Sequence, residues 1–253
     1  MKNLVLVIMC VTVLASCSQG KKTADKKGEK TENCCQKEKS SAEGCCQKEK
    51  SCCQKDSLKF NNADFYTAEG KFNEEAGKDA VLRLMKYYKY PVTDETRSQL
   101  WVSDYGTGHF TEVGLAAIMY VNDTKDRYML QDIFLLPNQM LPEHWHEKPA
   151  GDLPAKMEGW LVRNGLSYIV GEGEDNLASF PEIKIPASHT GGVTVKNVVK
   201  TPPGKFVPLS KVFSHHWQFA GPQGAIITEV ANVHDNGSVR HQVKSINDYF
   251  LGK

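Results

Sequence analysis

The spacing of hydrophobic residues changes once along the chain, from a helical period to an alternating one. Between Phe72 and Tyr88, apolar side chains recur every four residues, which places them on one face of an amphipathic helix. Asn73 stands where an N-cap belongs, and Pro91 supplies a stop. A second short helix is predicted to begin near Thr93, where a cap-like residue precedes acidic ones. The sequence therefore predicts two helices ahead of all other folded elements.

Beyond Asp104 the pattern is typical of β-strands. Short apolar or alternating runs are separated by turn-forming Asn, Asp, Gly and Pro residues. The runs are GLAAIMYVN, YMLQDIFLLP, GWLVRNGLSYIVGEG, GGVTVKNVV, KFVPLS, VFSHHWQFAG and GAIITEVANV. Within the third run, Asn164-Gly165 predicts a tight hairpin, because glycine adopts a positive φ without strain. This many short strands predict a mainly β domain, a sandwich or barrel, with an N-terminal helical extension.

The N-terminal residues have a different character. Residues 1–16 begin with a lysine-containing segment, run apolar through LVLVIMCVTVLAS and lead to Cys17. The apolar run is too short to span a bilayer comfortably. It resembles a bacterial lipoprotein signal, which implies that Cys17 becomes the lipid-modified N-terminus. Cys17 would then anchor the protein to a membrane, facing the periplasm or the cell exterior. An ordinary secretory signal followed by a chance cysteine is the alternative.

Residues 17–57 are rich in lysine and acids and contain almost no apolar residue besides cysteine, so they cannot offset the entropy cost of folding. We expect a disordered tether here, and a folded domain over residues 58–253. CCQK occurs three times, and its cysteines with Cys10 and Cys17 make up all 8 in the chain. Two interpretations stay open: thiolates that bind a soft metal ion such as Cu(I) or Zn(II), or a linker whose cysteines oxidise to disulfides. The cysteine pairs are Cys34-Cys35, Cys45-Cys46 and Cys52-Cys53.

Composition and charge narrow the function classes. With 40% hydrophobic residues in 253, the chain can bury one substantial core. The formal net charge of +1 and the lack of an arginine-rich cluster argue against a nucleic-acid partner.

The most informative stretch for chemistry is PEHWHEK. In a β-strand, His144 and His146 point to the same face, and paired imidazoles suit a first-row metal. Glu158 begins the next apolar run, where a strand, a loop and a strand can bring its carboxylate beside them. His215 and His216 lie on a later predicted strand, and adjacent strand residues face opposite sides. His216 shares a face with polar residues, Ser214 and Gln218, so it is the better candidate for a polar interior.

These features resemble the two motifs of the cupin superfamily: an HxH pair, Glu-x6-Gly and a downstream histidine. The resemblance implies an antiparallel β-barrel (jelly roll) that holds a divalent metal with three histidines and a glutamate. Four longer blocks resemble the D-lyxose ketol-isomerase family over about residues 72–245. The blocks are WVSDYGTGHFTEVGLAAIMYVN, LQDIFLLPNQMLPEHWH, KMEGWLVRNGLSYIVGEGE and HHWQFAGPQGAIITEV.

This narrower resemblance implies an aldose–ketose isomerase for a small sugar, with Mn²⁺ as cofactor and Zn²⁺ or Fe²⁺ as alternatives, and a homodimer as a possible assembly. The implied ligands are His144, His146, Glu158 and either His215 or His216, of which we choose His216. The reaction would move a proton between C1 and C2 through an enediol while the metal stabilises the developing charge. Candidate catalytic residues are Glu229 as base, Lys148 and Lys156 between the ligands, and Arg240 for sugar oxygens.

The chain departs from the family at two positions. The isomerases usually carry a lysine where this chain has Gln131, and an arginine where it has Trp145. Two other functions therefore stay open: a non-catalytic carbohydrate- or metal-binding cupin lipoprotein, and an oxidative cupin. The remaining histidines of the domain are predicted to be surface residues, with His234 the least certain of them; they are His109, His189, His234 and His241.

Overall fold

The computed structural model describes residues 58–253; Cys17, the cysteine pairs and the predicted tether lie outside this range. Both predicted helices are present, as α1 (Glu74–Tyr87) and α2 (Thr96–Gln99), and a third, α3 (Lys244–Phe250), ends the domain. Asn73 caps α1, since its side chain accepts a hydrogen bond from the backbone N–H of Ala76. No helix within residues 58–253 is long and apolar enough to cross a membrane.

The strands form one antiparallel sheet that curls into a half-barrel, so the mainly β fold with a helical extension is confirmed. The path through the sheet is β1-β2-β3-β8-β4-β9, and β5 pairs with β6, β7 and β8. The strands are β1 (Trp101–Ser103), β2 (Leu115–Asp123), β3 (Tyr128–Leu135), β4 (Met140–His146), β5 (Glu158–Gly171), β6 (Asn197–Thr201), β7 (Phe206–Pro208), β8 (His216–Ala231) and β9 (Val239–His241).

The predicted hairpin at Asn164-Gly165 is wrong. β5 runs unbroken through these residues, and its register against β8 shifts on either side of them, which marks bulges rather than a turn. Gly165 has a φ of 74° and lies against the carbonyl oxygen of Gly224, leaving no room for a Cβ. The glycine therefore permits close approach of two strands that bend together.

A second correction concerns the last two predicted strands, which are one. β8 continues through the Gly-Pro pair at residues 221–222, so His216 and Glu229 lie on the same strand and not on neighbouring ones. Because β8 pairs with β3, β4 and β5, it is the element that brings the functional residues together.

Apolar side chains on the two faces of the sheet build separate cores. On the outer face, Phe134 and Ile226 pack against Leu84 of α1. On the inner face, their strand neighbours Ile133 and Ile227 belong to the core of the half-barrel. A third cluster lies under the loop that precedes β6, where most of the predicted strand GGVTVKNVV is loop. This loop covers the outer side of β4, and the inner side faces the cavity described below.

Candidate metal centre and active site

Four buried side chains converge on the inner face of the sheet. β4 supplies His144 and His146, β8 supplies His216, and β5 supplies Glu158. One ring nitrogen from each histidine lies within 4.8 Å of the others. Glu158 Oε1 is 3.2 Å from His146 Nε2 and 3.4 Å from His216 Nε2. We refer to these four residues as the inward cluster; they are the four that the sequence predicted as ligands.

Hydrogen bonds to backbone carbonyls orient two of the rings. His144 Nδ1 lies 2.8 Å from the carbonyl oxygen of Pro142, and His216 Nδ1 lies 3.0 Å from that of Ser214. A carbonyl only accepts hydrogen bonds, so each Nδ1 carries the proton and each Nε2 presents a lone pair to the cluster. Metal-binding histidines in proteins are commonly held in this way.

Several atoms of the cluster lack a hydrogen-bond partner within residues 58–253: both ring nitrogens of His146, His216 Nε2 and Glu158 Oε1. Leaving buried polar atoms unpaired is costly, whereas a cation among them would bind their lone pairs. Three imidazoles and one carboxylate suit a divalent first-row metal. The residues present therefore fit such an ion.

The electrostatics of the cluster agree with that chemistry. Burial lowers the pKa of His144 and His216, and it lowers the pKa of His146 to about 4, so these rings are neutral near pH 7. Burial alone would raise the pKa of Glu158, but Lys156 and the nearby histidines hold it well below its usual range. The carboxylate is therefore ionised.

A buried lysine links the inward cluster to a second carboxylate. Lys156 Nζ lies 2.7 Å from Glu158 Oε2 and 2.7 Å from Glu229 Oε1. Gln131 donates a hydrogen bond of 2.9 Å to the other oxygen of Glu229. Burial raises the pKa of Glu229, and the contacts with Lys156 and Gln131 offset only part of this effect. Glu229 is thus a buried carboxylate with an elevated proton affinity rather than a solvent-exposed strand residue.

Lys156 itself stays charged. Burial lowers its pKa, yet the carboxylates of Glu158 and Glu229 outweigh that effect and raise it overall. One ammonium group therefore positions both the predicted metal ligand and the predicted base.

A cavity of about 290 Å³ opens in front of these residues. Its apolar side comes mainly from β1, β2, β3 and α3, and includes Trp101, Tyr105 and Phe250. Its polar side includes His144 and His146 together with Gln131, Lys156, Glu229, His234, Asn236 and His241. The cavity joins a candidate metal site to a candidate base, which is what a reaction at two neighbouring carbon atoms requires.

Two predicted catalytic residues lie elsewhere. Lys148 is exposed in the loop after β4 and does not line the cavity. Arg240 pairs with Glu147 at 3.0 Å and donates to the carbonyl oxygens of Gly237 and Val239. It points away from the cavity because its neighbours on β9, Val239 and His241, point inward.

The residues next to the ligands face outward. Trp145 stacks on His215 with ring centroids 4.2 Å apart and an interplanar angle of 11°. His215 Nδ1 lies 2.9 Å from Glu143 Oε1. The structure therefore brings His216, and not His215, to the inward cluster, and Trp145 does not line the cavity.

The prediction of surface positions was wrong for two histidines. His189 and His241 are buried, at 2% and 5% exposure, and His234 is half-buried and lines the cavity, while His109 is exposed as predicted. His241 was missed because β9 has only three residues, too few to establish an alternating pattern. Its pairing with β4, which sets His241 beside His144, is a long-range contact that no local signal reports.

Fold and site together define a cupin-like protein with a candidate metal centre beside a buried carboxylate. A family model described as D-lyxose isomerase matches residues 93–249, and the chain belongs to that family. It is 30% identical to the D-lyxose/D-mannose isomerase of Thermosediminibacter oceani over 161 residues, which cover 64% of this chain and 86% of that protein. It is 29% identical to the D-lyxose ketol-isomerase of a Thermofilum species over 61% of this chain and 83% of the relative.

A solved structure supports the fold independently. L-ribose isomerase from Cellulomonas parahominis, crystallised with L-psicose, superposes with a TM-score of 0.51 over 74% of this chain and 97% of its own. Its sequence identity is only 14%, so this likeness bears on the fold alone. Membership of an isomerase family favours an enzyme over the non-catalytic and oxidative alternatives.

Proposed function

We propose that this protein is a metal-dependent aldose–ketose isomerase that converts open-chain sugars such as D-lyxose and D-mannose by proton transfer between C1 and C2. The observation that carries the proposal is one cavity that is lined both by His144 and His146 of the inward cluster and by the buried Glu229–Lys156 pair. The names of the two relatives supply the choice of sugars.

His144, His146, Glu158 and His216 would hold the metal. A divalent cation held there would supply Lewis-acid polarisation of the sugar substrate. Imidazole and carboxylate ligands accept Mn²⁺, Zn²⁺ and Fe²⁺ alike, so the ligand set does not choose among them. The resemblance to manganese isomerases makes Mn²⁺ our first choice.

Glu229 is the proposed base. It takes the proton from C2 of the aldose and returns it to C1, while the hydroxyl proton moves from O2 to O1, so the carboxylate ends as it began and the intermediate is an enediol. Its raised pKa favours both steps near neutral pH, because a base works best when its pKa lies close to the operating pH. Lys156 holds the carboxylate in place, and Gln131 orients its second oxygen. Lys148 and Arg240 have no part in this scheme.

The two departures from the family pattern differ in their expected effect on catalysis. Trp145 lies outside the cavity, so it does not alter the surroundings of the sugar. Gln131 lies inside it and cannot itself exchange a proton with carbon, which leaves this role to Glu229. We expect the chain to be active despite both substitutions.

The test uses the full chain with Cys17→Ser, which prevents lipidation, loaded with Mn²⁺ and incubated with a panel of pentoses and hexoses. We expect D-lyxose to give D-xylulose and D-mannose to give D-fructose, at a rate that falls when a chelator removes the metal. If no sugar is converted at full metal occupancy, the proposal fails. Tight sugar binding without turnover would instead favour the non-catalytic carbohydrate-binding alternative.

We further propose that Cys17 carries a lipid that anchors the domain to a bacterial membrane, facing the periplasm or the cell exterior, with residues 17–57 as tether. The support is the signal-like sequence of residues 1–16. Labelling cells with a radioactive fatty acid should mark the wild type and not Cys17→Ala; label on neither would contradict the proposal.

Two smaller expectations have direct tests. Anaerobic titration of a peptide spanning residues 18–57 with Cu(I) or Zn(II) asks whether the cysteine pairs bind a soft metal, and absence of stoichiometric binding favours the oxidised linker. Light scattering on the purified chain reports whether it is a homodimer.

A further inference from the structure

His241 is a buried polar side chain that the scheme above does not use. It lines the cavity at 5% exposure, and its ring nitrogens make no hydrogen bond of normal geometry within residues 58–253, although the backbone of Glu143 lies close enough to favour the protonated ring. An imidazole offers two polar nitrogens, and burying both without partners costs free energy. A side chain in this state requires either a structural explanation or a ligand.

The position of the ring is well defined. It packs against Tyr105 and Phe250, each with a centroid distance of 5.1 Å, at interplanar angles of 65° and 67°. The backbone N–H of His241 donates to the side chain of Asn247 in α3 at 3.0 Å. Packing and backbone contacts fix the ring beside the cavity.

Sheet geometry separates His241 from the inward cluster. His144 pairs with His216 on one side and with His241 on the other, so the two histidines flank β4 from opposite sides. Glu158 lies 3.4 Å from His216, on the side away from β9. The ring of His241 is 5.6 Å from that of His144, and, unlike His146 and His216, it makes no contact with Glu158 within 4.0 Å. His241 is therefore beside the metal centre and not part of it.

We propose that His241 is a substrate-binding residue that hydrogen-bonds a hydroxyl group of the sugar from the β9 side of the cavity. This inference rests on the proposed isomerase function. A sugar hydroxyl both donates and accepts hydrogen bonds, so it can pair with either nitrogen of the ring. Tyr105 and Phe250 add an apolar wall against which the carbon chain of the sugar can pack.

The test compares His241→Phe, which keeps a ring between Tyr105 and Phe250 but removes both nitrogens, with His241→Gln, which keeps a donor and an acceptor. His109→Phe is the matched control, because His109 is exposed and outside the cavity. Each variant is made in the full chain with Cys17→Ser. Calorimetry then measures the Kd for Mn²⁺ and, on the Mn²⁺-loaded protein, the Kd for D-arabinitol, a linear pentitol that cannot isomerise.

We expect His241→Phe to raise the Kd for D-arabinitol and the KM for the sugar about tenfold, the size of one lost hydrogen bond, with a smaller change in kcat. The Kd for Mn²⁺ should stay within about twofold of the wild-type value, as befits a residue that binds sugar and not metal. His241→Gln should recover most of the sugar affinity, and His109→Phe should match the wild type. If His241→Phe does not fold, His241→Leu replaces it.

Two results would overturn the inference alone: a folded His241→Phe with unchanged KM and pentitol affinity, or one that has lost Mn²⁺ affinity and thus a metal ligand. Both presuppose a wild type that converts sugar. A wild type that converts no sugar at full metal occupancy overturns the proposed function itself, and the role of His241 with it.

Discussion

The two faces of β4 carry similar polar residues, but those on the outer face are hydrogen-bonded within the protein and those on the inner face are largely not. On the outer face, Glu143 and Trp145 join Thr194 and His215 in what we term the outward cluster. Glu143 is fully buried, and it accepts hydrogen bonds from the backbone N–H of Thr194 at 2.7 Å and from the hydroxyl of Thr194. On the inner face, His146 Nε2 lies 3.2 Å from Glu158 Oε1 without a hydrogen bond of normal geometry, and His146 Nδ1 has no partner among the described residues.

This difference separates structure from function more clearly than residue type does. The carboxylate of Glu143 has protein partners on both oxygens, from the loop before β6 and from His215, so it needs no ligand. The inward cluster directs lone pairs at one point, and no side chain of residues 58–253 pairs with them, which fits a bound cation. Histidine and glutamate serve both faces, and only their pairing distinguishes them.

The largest expected effect, a loss of metal binding and activity, comes from replacing His216, and its neighbour His215 is the control. His216→Asn should weaken Mn²⁺ binding more than about 100-fold and abolish measurable isomerase activity, because it removes a ligand. His215→Asn should leave the metal stoichiometry unchanged, since that ring faces Trp145. Metal titration and activity assays on both variants check this. Equal loss of metal in the two would mean that the faces do not differ as described.

Glu229→Gln keeps the shape of the side chain and removes the proposed base. We expect kcat to fall by about 10²- to 10⁴-fold, the usual contribution of general acid–base catalysis, with little change in the Kd for Mn²⁺. Glu143→Gln is the matched control on the outer face and should not reduce kcat comparably. If Glu229→Gln kept its activity, another group would have to carry the proton.

Glu143→Ala should act on stability instead. Removing this carboxylate leaves the Thr194 N–H and His215 without their partner, so we expect the free energy of unfolding to fall by about 2–4 kcal/mol. Denaturant unfolding of the metal-free chain measures this. An equal loss of stability from Trp145→Ala would indicate that ring stacking, and not the carboxylate, holds the outward cluster together.

Acid should destabilise the metal-free protein through the inner face. Burial lowers the pKa of His146 to about 4 and that of His241 to about 3, whereas an unfolded histidine titrates near 6.5. The unfolded state therefore binds more protons below pH 6.5, and stability is lost as the pH falls from 6.5 toward 4.

We expect the free energy of unfolding to fall by at least about 3 kcal/mol across that window. A single histidine whose pKa is lowered this far in the folded state accounts for a change of that size. Unfolding curves at several pH values measure it. Mn²⁺ should protect the protein, because the metal competes with protons for the same nitrogens. A flat stability profile between pH 6.5 and 4 would contradict the burial of these rings.

The smallest effect should come from Gln131→Met. This change removes the hydrogen bond that Gln131 donates to Glu229 and that favours the ionised carboxylate, so the pKa of Glu229 should rise further. We expect a loss of about threefold to tenfold in kcat near neutral pH and a shift of the acidic limb of the pH profile to higher pH. An unshifted limb would show that this limb does not report Glu229.

The sequence determined the features that depend on local period and on short motifs. Apolar residues at every fourth position predicted α1, with its cap at Asn73. Because side chains alternate between the two faces of a strand, PEHWHEK placed His144 and His146 on one face. His216 was chosen over His215 as the metal ligand because it lies on the same strand face as the polar residues Ser214 and Gln218. These inferences hold because the direction of a side chain relative to its own strand is a local property.

Only the tertiary structure decided what depends on which strands pair. Asn164-Gly165 is a turn signal locally, but the pairing of β5 with β8 makes it a bulge. His241 became part of the cavity because β9 pairs with β4, and Lys156 became buried because Glu158 and Glu229 meet on either side of it. Strand pairing joins residues distant in sequence through the sum of many weak contacts, so no short stretch of the chain encodes it.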